Sequence, residues 1–378
     1  MTTQRAEPAF GWWMGPVVIL ITLVVGLLAM EGALRLLLDA NRLQALPHVA
    51  ISEDLQRQLE WVSWHSRSQA HGTTSYPSAF DQFDPQLGWR VRPGVSTRHT
   101  RPGVYDVQVT TNRFGLRGEA PREIAKPAGV LRVGIFGDSQ TFGETVEDRE
   151  TYVSLLNRAA PGTEFLNFGV RGFGTDQMLL YHASDARAYE LDVVVIGFAF
   201  YHLERNVRRF LFYAKPKFDV EQGQLVLRGT PVPAPQALLE DRADRELHPL
   251  LDRSVLLRWL WQRWRWWQAD HQFAPDGEAW QLTSKLLERM VADVQAQGAR
   301  AVLMNIDATH PELEPALDQL AQRLGVGLLN LGPLTRKAAA EGAGFMLPND
   351  GHWNASGHAQ VAKALQSHLC THKITPCP

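Results

Sequence analysis

Three residue types in two short contexts could together run acyl chemistry. Gly137-Asp138-Ser139 sets a hydroxyl in a glycine-bounded turn directly behind the apolar run Leu131-Arg132-Val133-Gly134-Ile135-Phe136. Far downstream, Asp350-Gly351-His352 sets a carboxylate and an imidazole two residues apart, ahead of a helix expected over 355–368. An Asp that holds a His ring lets the imidazole take the proton of a nucleophilic hydroxyl, the division of labour in a Ser–His–Asp triad. A hydroxyl where a strand hands over to a helix suits this role, because N–H groups at a helix start can stabilise an oxyanion. Each piece is weak alone. Gly, Asp and Ser all favour ordinary turns, and a lone Asp-x-His is usually a surface loop. His358 is a rival base, but three residues into its helix it is expected to pack or cap.

What gives the pair meaning is the pattern of elements around it. Strands are expected at 131–136, 164–168, 191–197, 300–306 and 326–331, and helices near 148–159, 175–189, 279–298, 312–324 and 355–368. Apolar strands alternating with amphipathic helices predict a mostly parallel five-stranded sheet covered on both faces, a three-layer α/β/α flavodoxin-like domain. Ligands of such sheets bind beyond the carboxyl ends of the strands. Ser139 follows the first strand, and Asp350 and His352 follow the last. A further strand is expected at 104–110 from its period of two.

Residues 207–278 interrupt the alternation with a hairpin around Glu221-Gln222-Gly223-Gln224, a Pro-rich stretch at 231–235 and a Trp-rich segment. That segment, 258–267, holds Trp259, Trp261, Trp264, Trp266 and Trp267 among Arg258, Arg263 and Arg265. Three readings stand for it. It is a helix packed on the domain with Arg snorkelling outward, an interfacial membrane helix, or a docking surface for another protein.

No charged residue occurs from Pro8 to Met30, and Trp12 and Trp13 lie at one end of this run. It is long enough to span a bilayer, with aromatics placed as at an interface. A cleaved signal peptide would show a more basic start and a small-residue cleavage site, so an uncleaved anchor over residues 12–30 is favoured. The helix continues over 31–46 with Leu34, Leu37 and Leu38 on one stripe. The expected layout is an anchor with its extension at 1–46, a linker at 47–80, the main domain at 81–368 with an insertion at about 207–278, and a tail at 369–378. The charge of -2 over 378 residues, with no clustered basic face, argues against a nucleic-acid partner. Cys370 and Cys377 are too few for a four-ligand zinc site. They form a small disulfide in an exported chain, or two free thiols on a tail.

Gly137-Asp138-Ser139 with Asp350-Gly351-His352 resembles the SGNH/GDSL hydrolase family. Phe83-Asp84-Pro85-Gln86-Leu87-Gly88-Trp89 and Thr111-Asn112-Arg113-Phe114-Gly115-Leu116-Arg117 are similar to the lead-in of its bacterial membrane-anchored members. Asn167-Phe168-Gly169-Val170-Arg171-Gly172-Phe173-Gly174-Thr175 is similar to the second block. The resemblance covers about residues 80–206 and 280–368. It implies Ser139 as nucleophile, His352 as general base, Asp350 as the residue orienting it, and the N–H groups of Ser139 and Gly169 as oxyanion donors. The third block departs from the family pattern. Tyr201 stands where an Asn completes the oxyanion hole, and His202 where an Asp follows it. Either the Tyr201 hydroxyl or the His202 N–H substitutes, or activity is weak, or the fold has been reused; Asn206 lies a helical turn too late.

What the resemblance implies is a membrane-anchored serine esterase acting on an acylated, for example acetylated, glycan or lipid-like envelope molecule. It needs no metal and no organic cofactor. Its membrane is the bacterial inner membrane, crossed once, with the catalytic domain outside. O-acyl transfer by the same triad, or an inactive accessory subunit bound to a partner in a membrane complex, are the alternatives.

Overall fold

A computed structural model describes residues 14–37, 80–118, 123–209, 211, 213–234, 254–257, 260, 275, 277–342, 344–348 and 350–377. The chain divides into two compact units, Met1–Thr74 with Leu238–Gln268, and Ser75–Ala237 with Ala269–Pro378.

In the first unit, α1 runs over Met14–Leu37. Its stretch Gly15–Leu36, 22 residues with mean hydropathy 2.5, is long and apolar enough to cross a membrane. Near its end the Glu31 carboxylate accepts hydrogen bonds from Arg35 Nε at 2.6 Å and from Ser254 Oγ at 2.8 Å. It also accepts from the backbone N–H groups of Val255 at 3.1 Å and Leu256 at 2.8 Å. Glu31 therefore caps the helical turn that begins at Val255. Trp12, Trp13, the helical extension past Leu37, nearly all of the 47–80 linker and the tryptophans of the 258–267 segment lie outside the described residues.

The second unit is built on five parallel strands: β5 (Leu131–Gly137), β6 (Thr163–Gly169), β7 (Val193–Phe198), β10 (Arg300–Asn305) and β11 (Gly327–Asn330). Their order across the sheet is β11-β10-β7-β5-β6. Numbered within the sheet this is 2-1-3-4-5, the flavodoxin-like doubly wound order, in which winding reverses beside the first strand and opens a crevice at its carboxyl end. Β-branched runs such as Val193-Val194-Val195-Ile196 suit strands buried on both faces. Alternation then assigns the faces. Val133, Ile135, Val193, Val195, Val302 and Met304 share one core with Tyr152, Leu156, Trp353, Val361 and Leu365. Those partners come from α3 (Tyr152–Ala159) and α9 (Ala355–Thr371) and from the loop before α9. On the other face Phe136 stacks on Phe168 with ring centroids 4.7 Å apart. That face is covered by α4 (Thr175–Ala183), α5 (His202–Val207) and α6 (Glu278–Ala296). Helices on both faces make three layers. Two small antiparallel pairs precede the sheet: β1 (Asp81–Asp84) with β2 (Gly88–Val91), and β3 (Ser96–Arg101) with β4 (Tyr105–Thr110). The expected hairpin after α5 is β8 (Lys217–Glu221) with β9 (Gln224–Arg228).

The differences from the sequence pattern are local. The helix expected over 148–159 is a 3-10 turn at Asp148–Glu150 followed by α3, because Thr151 turns extended and caps α3 by accepting from the Ser154 N–H. The helix expected over 175–189 stops at Ala183 and resumes as a 3-10 turn, Ala186–Tyr189. The third block continues into a helix, α5, while α7 (Glu314–Leu324) precedes β11 and α8 (Gly332–Ala340) adds a helix after it. Cys370 and Cys377 are joined as a disulfide across the end of α9.

Candidate active site

Ser139 is the first residue of a short helix, α2 (Ser139–Phe142), that leaves the carboxyl end of β5. Asp138 makes the turn. Its Oδ1 accepts from Gln140 N–H at 3.0 Å, and its carbonyl accepts from Phe142 N–H at 2.8 Å. Glycine is demanded at two places here by close approach. A Cβ on Gly137 would lie 2.0 Å from Thr141 Oγ1, and one on Gly169 would lie 2.3 Å from the backbone nitrogen of Phe142. These glycines let α2 sit down on β5 and β6.

The structure brings Ser139, His352 and Asp350 together. His352 Nε2 is 2.8 Å from Ser139 Oγ, and His352 Nδ1 is hydrogen-bonded to Asp350 Oδ1. Burial opposes the charged ring. The hydrogen bond to Asp350 and the negative charges of Glu144 and Asp350 outweigh it and raise the His352 pKa above 6.5. Burial likewise works against the Asp350 anion, and His352 and Arg101 more than compensate, so its pKa is lowered. Arg101 Nη1 reaches Asp350 Oδ2 at 2.5 Å from the end of β3.

The loop carrying His352 is pinned to the serine turn by residues that the motifs did not single out. Gln140 Nε2 donates to the Gly351 carbonyl at 2.8 Å, while Gln140 Oε1 accepts from Trp353 N–H at 3.0 Å. Thr145 Oγ1 donates to the Trp353 carbonyl at 3.0 Å. The Trp353 side chain is fully buried in the core. Ser139 and His352 are thus referenced to each other through Gln140, their neighbour in one loop and in contact with the other.

The expected oxyanion donors are arranged differently. The Gly169 N–H donates to Asn167 Oδ1 at 2.9 Å, so it is committed within its own strand end. The next glycine of the same loop, Gly172, has φ +72, and its N–H has no hydrogen-bond partner among the described residues. Tyr201 and His202 both turn to Asp138. Tyr201 OH donates to Asp138 Oδ2 at 2.7 Å, and His202 Nε2 lies 3.3 Å from the same oxygen. His202 Nδ1 accepts from Ala199 N–H, which assigns Nε2 as the donor to Asp138. A phenol carries one proton and a neutral imidazole one N–H, so neither residue has a donor to spare. Arg205 Nη1 completes the set on Asp138 Oδ2 at 2.8 Å. Burial works against the Asp138 anion, but His202, Arg205 and Tyr201 hold its pKa far below the usual carboxylate range. The third block is therefore the cradle of the Asp138 carboxylate.

Asn206 is spent elsewhere, donating to Thr283 Oγ1 at 2.8 Å and accepting from Asp176 N–H at 3.2 Å. His358 is buried in α9, accepts from Tyr152 N–H at 3.2 Å, and is driven by burial to a pKa of about 3. It packs, as its position in the helix implies. Among the described residues no three His, Cys, Asp or Glu side chains converge as metal ligands.

No family model and no curated protein matches the chain. Solved structures do. One is a two-domain esterase active on acetylated mannans, co-crystallised with mannopentaose: 15% identity, 66% of this chain, 52% of that chain, TM-score 0.39. The match spans about half the length of that esterase. Another is an α/β hydrolase enzyme from the metagenome of Lake Arreo, Spain: 15% identity, 64% of this chain, 96% of that chain, TM-score 0.38. A third is a catalytic mutant of an acetylxylan esterase from Geobacillus stearothermophilus: 13% identity, 65% and 96% covered, TM-score 0.38. The strand order, the seryl turn after β5 and the Asp-x-His loop before α9 are arranged as the resemblance to the SGNH/GDSL hydrolase family implies.

Proposed function

We propose that this chain is a membrane-anchored serine esterase that removes a small acyl group, such as acetyl, from a glycan or another envelope molecule. The observation that carries the reading is the 2.8 Å contact between His352 Nε2 and Ser139 Oγ, with Asp350 on the other ring nitrogen. Ser139 attacks the ester carbonyl as His352 takes its proton. The alkoxide leaves with that proton, and the Ser139 ester is then hydrolysed by water activated by His352. Two backbone donors serve the oxyanion, Ser139 N–H at the start of α2 and Gly172 N–H in the loop after β6. Gly172 replaces Gly169 because the Gly169 N–H is already bonded to Asn167. No step calls for a metal or an organic cofactor.

The helix over Gly15–Leu36 supports a single membrane crossing. The Cys370–Cys377 bond supports an oxidising compartment, hence a domain on the outer side of a bacterial inner membrane. A weakly active accessory subunit of a membrane complex is the second reading. What favours it is the commitment of Tyr201 and His202 to Asp138, which leaves the oxyanion without a side-chain donor. Losing one such donor costs about 100- to 1000-fold in turnover.

The test is acetate release from a panel of O-acetylated glycans by the full chain in mild detergent. Release by the native chain and none by Ser139→Ala supports the esterase. Equal rates, or none with a well-folded protein, favours the accessory-subunit reading.

A further inference from the structure

We infer that Glu144 orients the water that releases the acyl group, and so directs the site to hydrolysis over transfer to an alcohol. The inference rests on the esterase reading above. Glu144 follows the turn after α2, and its N–H donates to the Ser139 carbonyl at 3.2 Å, which fixes it relative to the nucleophile. Its two carboxylate oxygens have different surroundings. Oε1 accepts from Arg171 Nη2 at 2.6 Å and meets His99 Nε2 at 3.2 Å. Oε2 makes no hydrogen bond among the described residues, is not sealed from solvent, and lies 3.8 Å from His352 Nε2. Burial works against the anion here too, but Arg171 and His99 hold Glu144 ionised, an acceptor with no proton to give.

Once Ser139 Oγ is esterified, Nε2 loses its partner and needs another donor. A water about 2.8 Å from both Nε2 and Oε2 would see them about 85° apart, which its two O–H bonds meet with modest bending. One O–H then points at Nε2 and the other at Oε2, with a lone pair left for the acyl carbon. As the C–O bond forms, the first proton passes to Nε2. The second stays on oxygen, hydrogen-bonded to Oε2. The tetrahedral intermediate collapses, the bond from the acyl carbon to Oγ breaks, and His352 returns the proton to Oγ. A carboxylic acid and free Ser139 result. An alcohol in the same place has one O–H, which Nε2 takes, and turns a lone pair or a carbon toward the Oε2 anion. Water satisfies both groups and an alcohol satisfies one.

Glu144 also neutralises Arg171, and a purely structural role would affect every step alike. Glu144→Gln separates the two roles. Arg171 demands an oxygen at the Oε1 position, so the amide NH2 falls where Oε2 stood and cannot accept from water. The experiment is stopped-flow hydrolysis of p-nitrophenyl acetate by the full chain in detergent, with glycerol as competing acceptor. Glu144→Gln is expected to acylate within about 3-fold of the native rate and to deacylate about 10- to 100-fold more slowly. Acetyl-Ser139 should accumulate in intact mass spectra, and the share of acetyl passed to glycerol should rise. Acylation and deacylation falling together, or deacylation unchanged, overturns the inference. Glu144→Asp, which keeps a charge for Arg171 but withdraws Oε2, is expected to show the same split. The native chain itself should release acetate no faster with added glycerol; a marked acceleration contradicts the inference whatever the variants do. A native chain that forms no Ser139 ester overturns the esterase reading, a result distinct from an unsplit Glu144→Gln.

Discussion

At the scale of single residues, His352 works between two carboxylates, Asp350 on Nδ1 and Glu144 Oε2 at 3.8 Å from Nε2. Both favour the imidazolium, and its pKa stands above the ordinary 6.5 despite burial. A general base acts in its neutral form, so kcat/KM for ester hydrolysis should rise with pH through a midpoint above that of a free histidine. Asp350→Asn removes the largest of the raising influences. Its midpoint should move down while the rate falls by about 10⁴-fold. A pH–rate profile with an unmoved or raised midpoint would contradict this assignment. The meeting of Ser139, Asp350 and His352 was legible because their types and two short spacings imply a shared reaction. Gly169, Tyr201 and His202 were legible only as positions. What each one bonds depends on where neighbouring side chains point. An Asn two residues before Gly169 is the one local sign that its N–H could be taken, since Asn side chains accept from amides two residues on.

At the scale of elements, the proposed triad depends on two loops that leave different strands and are held together by Gln140. Gln140→Ala deletes both the bond to the Gly351 carbonyl and the bond from Trp353 N–H. The His352 loop then loses its reference to α2, and a shift of about 1 Å costs about 100-fold in rate. We expect kcat to fall about 10- to 100-fold with little change in KM and an unchanged far-UV circular dichroism spectrum. A native kcat in this variant would show that the Trp353 anchor suffices. The five strands were legible from their β-branched runs, and their boundaries agree with the structure within two residues. The breaks inside two helices were not, because they turn on Thr151 capping α3 and on the chain leaving α4 after Ala183. The part played by β3 and β4 was also illegible. Their strand pattern is local, whereas Arg101 meets Asp350 only through the folded arrangement.

At the scale of the whole molecule, several histidines are buried neutral. Burial lowers the pKa of His182 and His202, and takes that of His358 to about 3. The unfolded chain binds protons near pH 6.5 that the folded chain refuses. Stability must therefore fall as pH drops below that value, by up to about 1.4 kcal/mol per pH unit for each such group. Asp138 and Glu144, with pKa values lowered by folding, contribute stability that is complete above about pH 5 and lost progressively as pH falls below it. His352 acts oppositely: its contribution is complete below about pH 6.5 and lost as pH rises through its higher folded value. The Tm in detergent should decline from pH 6.5 to 4.5, less steeply in His358→Gln; a flat profile would contradict the buried neutral ring. The three-layer architecture and the membrane-length helix were legible in hydrophobic periodicity and in the charge-free run. The grip of Glu31 on the turn at Val255 was not, since it joins segments 224 residues apart. The proposed function stands or falls with Ser139 as an activated nucleophile. Labelling of the folded full chain by a fluorophosphonate probe tests it most directly. The native protein should be labelled and Ser139→Ala should not, whereas an unlabelled native protein, or equal labelling of both, would contradict that role.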